Sequence, residues 1–298
     1  MDGLIQERIE EQIRNSFRND EMESLAINYF AYQSSTREFL FGKLAILHYE
    51  MFNGVSKDIL SVAASIEIFA LAADILDDIQ DQDVSDAPWQ RTEKSFVLSL
   101  ASGLLLLSKK VLDDVNSDDH SLLNDIFYSM IFQSMTGQYL DLKNQINNET
   151  DYVNIVRKKS SSFVTLACSL GAILANSSQL SLVNQYTEKI GVASQLKNDV
   201  QDIYAWDKKS DIPAKKKTFP IIYMLTIKEA SLLKNYYSSN HPFETISAKK
   251  QEVIEEMEQL GAMKYTKAVI ELNKIEALDL INQLDVSQYY KDRLKKFV

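Results

Sequence analysis

Two short acidic motifs, each at the end of a long apolar stretch, carry the clearest chemical signal in the sequence. Residues 77–81 read DDIQD and residues 198–202 read NDVQD. In a helix, the first and last members of each motif stand four residues apart and project from the same face. Carboxylate oxygens suit Mg²⁺, which keeps several waters and commonly uses substrate phosphates to complete its octahedron. The two motifs therefore predict one metal site for a phosphate-bearing substrate.

Basic and amide side chains between and after the motifs fit a diphosphate beside such a metal. The candidates are Gln138, Asp141, Lys159, Gln195 and, within a basic run at residues 208–217, Lys216. Lysines act as point charges on flexible stems and would neutralise oxygens that the metal does not reach. The alternative is a set of solvated helix ends and an exposed basic loop, because acidic pairs at residues 113–114 and 118–119 are typical of helix capping.

The elements that must position these residues are predicted to be helices. The chain of 298 residues has only 8 Gly and 4 Pro, and 45% of its residues are hydrophobic. Apolar residues recur at helical spacing in most windows, and no linker, short repeat or long strand-like alternation interrupts them. One all-α domain covering residues 1–298 is the simplest prediction.

Charge and hydropathy exclude several other classes. A net charge of −10 argues against nucleic acid as a main partner, since binding a phosphate backbone needs a clustered basic surface. The start of the chain lacks the apolar core of a signal peptide, and the most apolar run, residues 96–107, is shorter than the ~20 residues that span a bilayer. We therefore expect a cytoplasmic protein with no transmembrane segment.

The order of the motifs resembles that of the trans-isoprenyl diphosphate synthase superfamily, from about residue 63 to residue 220. The resemblance implies an all-α, isoprenoid-synthase-type helical bundle with a central cavity, an allylic diphosphate substrate and Mg²⁺. The matching elements, in chain order, are Glu67 with Asp77, Asp78 and Asp81; Gln138 with Asp141; Lys159 with Ser160; Gln195 with Asn198, Asp199 and Asp202; and Lys216 with Thr218 and Pro220.

The resemblance also implies a role for each of these residues. The diphosphate would be contacted by Lys159 and Lys216, with Gln195, Gln138 and Asp141 in support. The aspartates of both motifs would be catalytic because they hold the metal at the leaving group. The implied ligand set for Mg²⁺ is Asp77, Asp78, Asp81, Asn198, Asp199 and Asp202, of which Asn198 is the weakest because an amide binds Mg²⁺ less well than a carboxylate.

Two departures from the superfamily pattern concern the second substrate. The superfamily's arginine pair after the first motif should fall at Asp86 and Ala87, and its early Gly-Gly-Lys-x-x-Arg signature survives at best as a remnant at residues 52–57. In chain-elongating members these basic residues hold the diphosphate of isopentenyl diphosphate. Their absence indicates an acceptor that carries no diphosphate.

Within the superfamily, residues 46–49, 66–68 and 74–78 look like the ComQ family. ComQ enzymes move a prenyl group onto a tryptophan of the ComX pre-peptide and so mature a quorum-sensing pheromone. This resemblance implies a farnesyl or geranyl diphosphate donor, a ComX-type pre-peptide acceptor and, as is common in the superfamily, a possible homodimer. The alternatives are a conventional short-chain isoprenyl diphosphate synthase, a terpene cyclase and a non-catalytic helical partner.

Overall fold

The computed structural model describes residues 1–81, 86–206, 211–239 and 242–298, and the regular structure within these ranges is helical with no strand. A π-helical segment covers Arg157–Ser161, and short 3₁₀ turns cover Pro88–Arg91 and Lys295–Phe297. The α-helices are α1 (Asp2–Ser16), α2 (Asp20–Arg37), α3 (Leu40–Met51), α4 (Ile59–Asp81), α5 (Lys94–Asp113), α6 (His120–Lys143), α7 (Glu149–Val156), α8 (Ser162–Leu174), α9 (Leu180–Tyr204), α10 (Phe219–Thr226), α11 (Leu232–Ser238), α12 (Glu244–Ser247), α13 (Lys250–Gln259), α14 (Ala262–Asn282) and α15 (Gln288–Leu294). The predicted all-α class is confirmed.

Helix α4 carries the first acidic motif and shows why that motif sits where it does. Residues 61–72 of this helix are buried, Glu67 among them, and the aspartates begin at Asp74. A helix that is apolar all round belongs in a core, and α4 packs against α5, α3 and α8. The carboxylates therefore emerge where the helix leaves the core.

Two helices are long and apolar enough to cross a membrane by length and composition alone. These are Ile59–Asp81 and Lys94–Asp113, and 72% and 44% of their most apolar stretches lie buried inside the bundle. Core helices pass the same test, so this finding is weak evidence for a membrane span. The absence of a transmembrane segment stays a prediction.

The second acidic motif lies near the end of α9, which is held by helices on several sides. α9 packs against α8 and along α14, and α8 packs in turn against α3 and α6. At Gly171 in α8 the backbone approaches α3 so closely that an added Cβ would stand 3.1 Å from Cα of Ala45. The ends of α4 and α9 are thereby brought towards the same region of the bundle.

The π-helical segment Arg157–Ser161 joins α7 directly to α8 and lies against α6 and α9. Glycines permit both contacts. A Cβ on Gly137 of α6 would stand 2.6 Å from Cα of Lys159, and one on Gly191 of α9 would stand 2.5 Å from Cα of Ser161. π-helical turns are rare and often occur at functional sites. Here the turn presents Lys159 between the two acidic motifs.

Candidate active site

An apolar cavity of about 610 Å³ opens between α2, α4, α6, α8 and α9. Its inner wall includes Ala73 and three phenylalanines, Phe41, Phe69 and Phe163. The rings of Phe69 and Phe163 stack with centroids 5.0 Å apart, and the ring of Phe127 lies 6.2 Å from that of Phe69. Apolar cavities of this size hold small organic ligands. The predicted central cavity is present, and its apolar and aromatic lining suits a hydrocarbon chain.

A smaller, polar cavity of about 180 Å³ adjoins the apolar one. The two share four lining residues, namely Asp77, Lys159, Ser160 and Gln195. The polar cavity is further lined by Asp81, Asp141, Asp199, Asp202, Asp211, Lys216, Lys217 and Thr218. A ligand with an apolar chain and an anionic head could therefore occupy both spaces at once.

Two lysines lie between the carboxylates of the polar cavity. Lys159 Nζ stands 2.9 Å from Asp141 Oδ2 and 3.1 Å from Asp77 Oδ1. Lys216 Nζ stands 2.7 Å from Asp81 Oδ2 and 3.7 Å from Asp211 Oδ1. Burial disfavours both ammonium charges, but the neighbouring carboxylates, Asp141 foremost, outweigh burial and raise the pKa of each lysine. Both lysines are therefore charged and available to an anion.

The predicted metal ligands are not gathered around one point in this arrangement. Within the described residues, no three acidic, histidine or cysteine side chains come close enough together to hold an ion. Lys159 and Lys216 stand between the carboxylates and neutralise them. The sequence could not give this pairing, because it depends on how α4, α6 and the π segment meet.

The donor set nevertheless fits Mg²⁺ with a diphosphate. Hard carboxylate oxygens from α4, α6 and α9 line one cavity, and Oδ1 of Asp81 is buried with no hydrogen-bond partner in the described part of the chain. A buried carboxylate oxygen without a partner is costly unless a cation or donor satisfies it. Diphosphate oxygens could take over the ammonium groups while a cation takes the carboxylates.

Asp78 is the member of the first motif that the structure does not bring to either cavity. Its Oδ2 accepts a hydrogen bond of 2.7 Å from the indole Nε1 of Trp89. That indole packs edge-on against Tyr29 and Tyr32 of α2. Adjacent helical positions point about 100° apart, so Asp77 and Asp78 cannot share a face. Asp78 therefore ties the 3₁₀ turn Pro88–Arg91 to α4, and Trp89 packs that turn against α2.

Asp199 lines the polar cavity, yet it is almost fully buried and serves neighbouring elements. It accepts hydrogen bonds from Tyr152 Oη at 2.6 Å, Gln195 Nε2 at 3.0 Å and the backbone nitrogen of Phe219 at 3.3 Å. Burial raises the pKa of Asp199 to about 7, although all three hydrogen bonds oppose the rise. Asp199 thereby ties α7, α9 and α10 together next to Lys216.

The predicted amides divide between the two cavities. Asn198 is exposed and lines the apolar cavity, whereas Asp202, four residues later, lines the polar one. Gln195 lines both and accepts a hydrogen bond of 2.8 Å from Ser160 Oγ. Gln138 lines the apolar cavity, and within the described ranges neither its Oε1 nor its Nε2 has a hydrogen-bond partner. Gln138 is thus free to contact a ligand.

The segments that replace the superfamily's basic residues lie outside both cavity linings. Asp86 is exposed and stands 3.5 Å from Arg91, while Ala87 is buried. Residues 52–57 form the connection from α3 to α4 and line neither cavity. Of the basic run, Lys208 and Lys209 lie outside the described residues. No substitute for the missing arginines is found at these described positions.

Sequence reasoning missed several residues of the site. Tyr152 supports Asp199 from α7, and Arg37 with Asp74 lies on the wall of the apolar cavity. For Tyr152 the sequence holds no signal, since its partner is 47 positions away. For Asp74 the signal was present, because an acid three residues before Asp77 lies close to it on the same helix face.

Gly137→Ala should destabilise the protein by about 1–3 kcal/mol, because the added methyl overlaps the backbone of Lys159 and overpacked sites cost that much. The measurement is urea denaturation followed by circular dichroism. Gly3→Ala in α1 is the matched control, because nothing lies within 4 Å of its added Cβ, and it should leave the midpoint unchanged or raise it. Equal midpoints for both variants would contradict the close approach of α6 to the π segment.

An all-helical bundle with an apolar cavity beside an acid and lysine cluster defines a class of protein that handles prenyl diphosphates. The match of residues 40–257 to the polyprenyl synthetase family model agrees with that class. The chain belongs to the polyprenyl synthetase family. The predicted isoprenoid-synthase-type fold and prenyltransferase activity are thereby confirmed.

Individual relatives narrow the resemblance. The tryptophan prenyltransferase ComQ of Bacillus spizizenii is 29% identical over 285 residues, which cover 94% of this chain and 99% of that protein. A short chain isoprenyl diphosphate synthase of Methanocaldococcus jannaschii is 24% identical, in a match that covers 75% of this chain and 72% of that protein. A crystal structure of a geranylgeranyl pyrophosphate synthase superposes with a TM-score of 0.86 at 23% identity, covering 100% of this chain and 97% of that one. The predicted resemblance to ComQ is confirmed.

Proposed function

We propose that this enzyme transfers a farnesyl or geranyl group from its diphosphate to the indole of a tryptophan in a ComX-type pre-peptide, and so matures a quorum-sensing pheromone. One observation supports the assignment of the donor. An aromatic-walled cavity adjoins a polar cavity, and both are lined by Asp77, Lys159, Ser160 and Gln195. The acceptor half is supported by similarity to ComQ along almost the whole chain.

The polar cavity supplies what ionisation of the donor requires. Diphosphate oxygens would contact Lys159 and Lys216, whose charges stabilise the leaving group more strongly as the C1–O bond breaks. Mg²⁺, when bound, supplies further positive charge to the same oxygens. The ligands proposed for it are Asp77, Asp81 and Asp202, with Asp141 and Asn198 beside them and with Asp78 and Asp199 in support.

The apolar cavity supplies what the allylic cation requires. The chain of the donor would lie along Ala73, Phe69 and Phe163, away from water. Once C1 is electron-deficient, C3 of the indole attacks it, and the peptide backbone nitrogen then closes a ring onto C2. The proton from that nitrogen goes to the released diphosphate. An enclosed apolar wall protects the cation from hydrolysis.

Chain elongation is the second candidate function, and the cations of the cavities argue against it. Arg37, Lys159, Lys216 and Lys217 line the cavities within the described ranges. Arg37 pairs with Asp74, Lys217 Nζ donates to the carbonyl of Ile146 at 2.7 Å, and the other two lie beside the predicted metal residues. Among these four cavity-lining cations, none is left to bind a second diphosphate.

Ala73→Phe should shift donor preference from farnesyl towards geranyl diphosphate by about 10- to 100-fold in kcat/KM, because one added ring shortens the apolar cavity and pocket size discriminates by roughly that factor. The measurement is kcat/KM for both donors with one peptide. Ala73→Ser is the control of similar size and should keep the wild-type ratio. If Ala73→Phe kept the wild-type ratio of kcat/KM for the two donors, the wall at Ala73 would not determine donor length.

We also propose a homodimer formed through α6. Five apolar residues of this helix are 42–63% exposed, namely Tyr128, Phe132, Met135, Tyr139 and Leu142. Their spacing of four and three residues makes one continuous apolar stripe. Met135, Tyr139 and Leu142 also line the apolar cavity, so a second copy packed on α6 would help to close it.

Phe132→Glu should weaken the dimer by at least about 30-fold in dissociation constant, since a buried aromatic anchor contributes about 2 kcal/mol or more. Sedimentation velocity across a concentration series measures this. Leu272→Glu on α14 is the control, because Leu272 is also exposed, at 54%, but lies outside the stripe. A monomeric wild-type protein would contradict the dimer.

The donor and acceptor assignments are tested together by mass spectrometry of products. The purified protein is given Mg²⁺, farnesyl or geranyl diphosphate, and a ComX-type peptide or the same peptide with its tryptophan replaced by alanine. We expect one prenyl mass on the first peptide and none on the second. Prenylation of both peptides, or of neither, would overturn the proposal. The proposal also places the protein in the cytoplasm, where its donors are made, and gives it no nucleic-acid partner.

A further inference from the structure

A charged pair lies in the wall of the larger cavity, apart from the residues that this cavity shares with the polar one. Asp74 of α4 and Arg37 of α2 both line it, and they form a close ion pair in which Arg37 Nη1 also donates to Asp74 Oδ1 at 3.3 Å. Gln33 Nε2 donates to the other carboxylate oxygen at 3.0 Å. The Asp74 side chain still keeps 36% of its surface accessible, and this surface faces the cavity.

The position of Asp74 relates it to the reacting carbon and not to the diphosphate. It lies three residues before Asp77, which is about 4.5 Å along the helix axis. Asp77 lines both cavities, whereas Asp74 and Arg37 line only the apolar one. If the diphosphate lies at the level of Asp77, then Asp74 lies beside the first carbons of the chain.

A cavity that binds only a hydrocarbon chain does not need a carboxylate at this position in its wall. Transfer of a charge to an apolar wall costs free energy unless a partner compensates it. Arg37 Nε is also buried with no hydrogen-bond partner in the described ranges, so the hydrogen bonds within the pair leave one polar group unsatisfied. The accessible part of the Asp74 carboxylate on the cavity wall marks this corner as one that can receive a hydrogen-bond donor beside the prenyl chain.

The aromatic neighbour of Arg37 suggests the shape of that ligand. The guanidinium carbon lies 5.4 Å from the centroid of the Phe41 ring, and Phe41 lines the same cavity. The φ angles of Glu38 and Phe39, between these two residues, are +53° and +52°, which is the left-handed region. Planar rings pack well against guanidinium groups and phenyl rings.

We propose that this corner binds the acceptor indole, with the Asp74 carboxylate accepting the indole N1–H and with Arg37 and Phe41 contacting the ring. The proposal rests on the proposed function and names where its acceptor is held. A hydrogen bond from N1–H to a charged acceptor fixes which edge of the indole faces the cavity wall, and so presents C3 to C1 of the donor.

The carboxylate also meets the charge that the reaction creates. The C2–C3 electron pair of the indole forms the bond to C1, and the C1–O pair leaves with the diphosphate. The positive charge then resides on N1 and C2, directly against Asp74. When the backbone nitrogen attacks C2, the C2–N1 pair returns to N1, and the amide proton passes to the diphosphate. Burial raises the pKa of Asp74, whereas the Arg37 guanidinium opposes that rise and favours the carboxylate form. The carboxylate form stabilises the transition state electrostatically.

The test combines a substrate change with an enzyme change. Peptides with tryptophan or 1-methyltryptophan, which lacks the N1–H, are compared on the wild type and on Asp74→Leu. We expect 1-methyltryptophan to lower wild-type kcat/KM by about 10- to 100-fold, Asp74→Leu to lower it similarly with tryptophan, and Asp74→Leu to show no further loss with the methylated peptide. We call the loss of kcat/KM on going from tryptophan to 1-methyltryptophan the methylation penalty. An equal methylation penalty in the wild type and in Asp74→Leu would overturn the proposal.

Matched variants separate contact from folding. Gln33→Leu removes a hydrogen bond to Asp74 from the side away from the cavity and should keep the full methylation penalty. If Asp74→Leu fails to fold, Asp74→Asn replaces it and should reduce the penalty, because the amide oxygen still accepts but carries no charge. A wild type that prenylates neither peptide would overturn the proposed function itself, whereas an Asp74-independent penalty overturns only this inference.

Discussion

Asp81→Asn should lower kcat/KM for prenyl transfer by about 10³-fold, the scale seen when one electrostatic contact to a transition state is lost. Asp81 shares a helix face with Asp77, its Oδ2 contacts Lys216 at 2.7 Å, and its Oδ1 is buried without a partner within the described residues. The amide keeps the size of the side chain and removes the charge that a divalent cation requires. The concentration of Mg²⁺ for half-maximal rate should rise as well.

The measurement is steady-state prenyl transfer at several Mg²⁺ concentrations. Asp114→Asn at the end of α5 is the matched control, since Asp114 forms an exposed pair with Lys110 four residues earlier. It should keep kcat/KM within about twofold, because exposed pairs contribute at most about 1 kcal/mol to stability and this one is remote from the cavities. A loss below fivefold in Asp81→Asn would contradict a metal at the first motif.

Lys159→Gln should lower kcat/KM by about 10²- to 10³-fold and should also destabilise the metal-free protein. Its Nζ neutralises Asp141 and Asp77 together. Removal of one partner from a buried pair costs about 3–5 kcal/mol, and because Lys159 remains 24% exposed we expect about 1–3 kcal/mol. Added Mg²⁺ should restore part of the lost stability, since it replaces positive charge among the same carboxylates.

Thermal unfolding with and without Mg²⁺ tests this stability prediction. Lys110→Gln serves as the control, because it removes a lysine from an exposed pair with Asp114 and should cost about 0.5 kcal/mol or less whether or not Mg²⁺ is present. If Mg²⁺ raised the unfolding temperature of Lys159→Gln no more than that of the control, the carboxylates would not be the place where the cation binds.

The helical periodicity of the two motifs predicted much of the site. Residues four apart share a face, and Asp77 and Asp81 do line one cavity. The same periodicity explains why the residues of one motif do not all face the same cavity. Asp78 turns to Trp89, and Asp199 turns into the core to meet Tyr152. The motif alone does not show that its residues have different partners. The rotation of about 100° per residue along a helix nevertheless makes neighbouring residues face different directions.

The rest of the site depends on contacts between distant elements. The π-helical turn at Arg157–Ser161 exists beside Gly137 of α6 and Gly191 of α9, whose missing side chains let two backbones approach it. No local propensity predicts that turn, because π-helical hydrogen bonding is rare outside such contacts. The Asp74 and Arg37 pair likewise joins residues 37 positions apart. The extent of the single domain, residues 1–298, stays a prediction.

The central claim is that the acceptor is a peptide tryptophan and not isopentenyl diphosphate, and a competition in one reaction tests it most directly. The enzyme is given Mg²⁺, a labelled allylic diphosphate, and equal concentrations of isopentenyl diphosphate and a ComX-type peptide. The account predicts that the label moves to the peptide tryptophan, with no lengthened diphosphate. Label found in a longer prenyl diphosphate, with the peptide unmodified, would contradict it and identify a chain-elongating synthase.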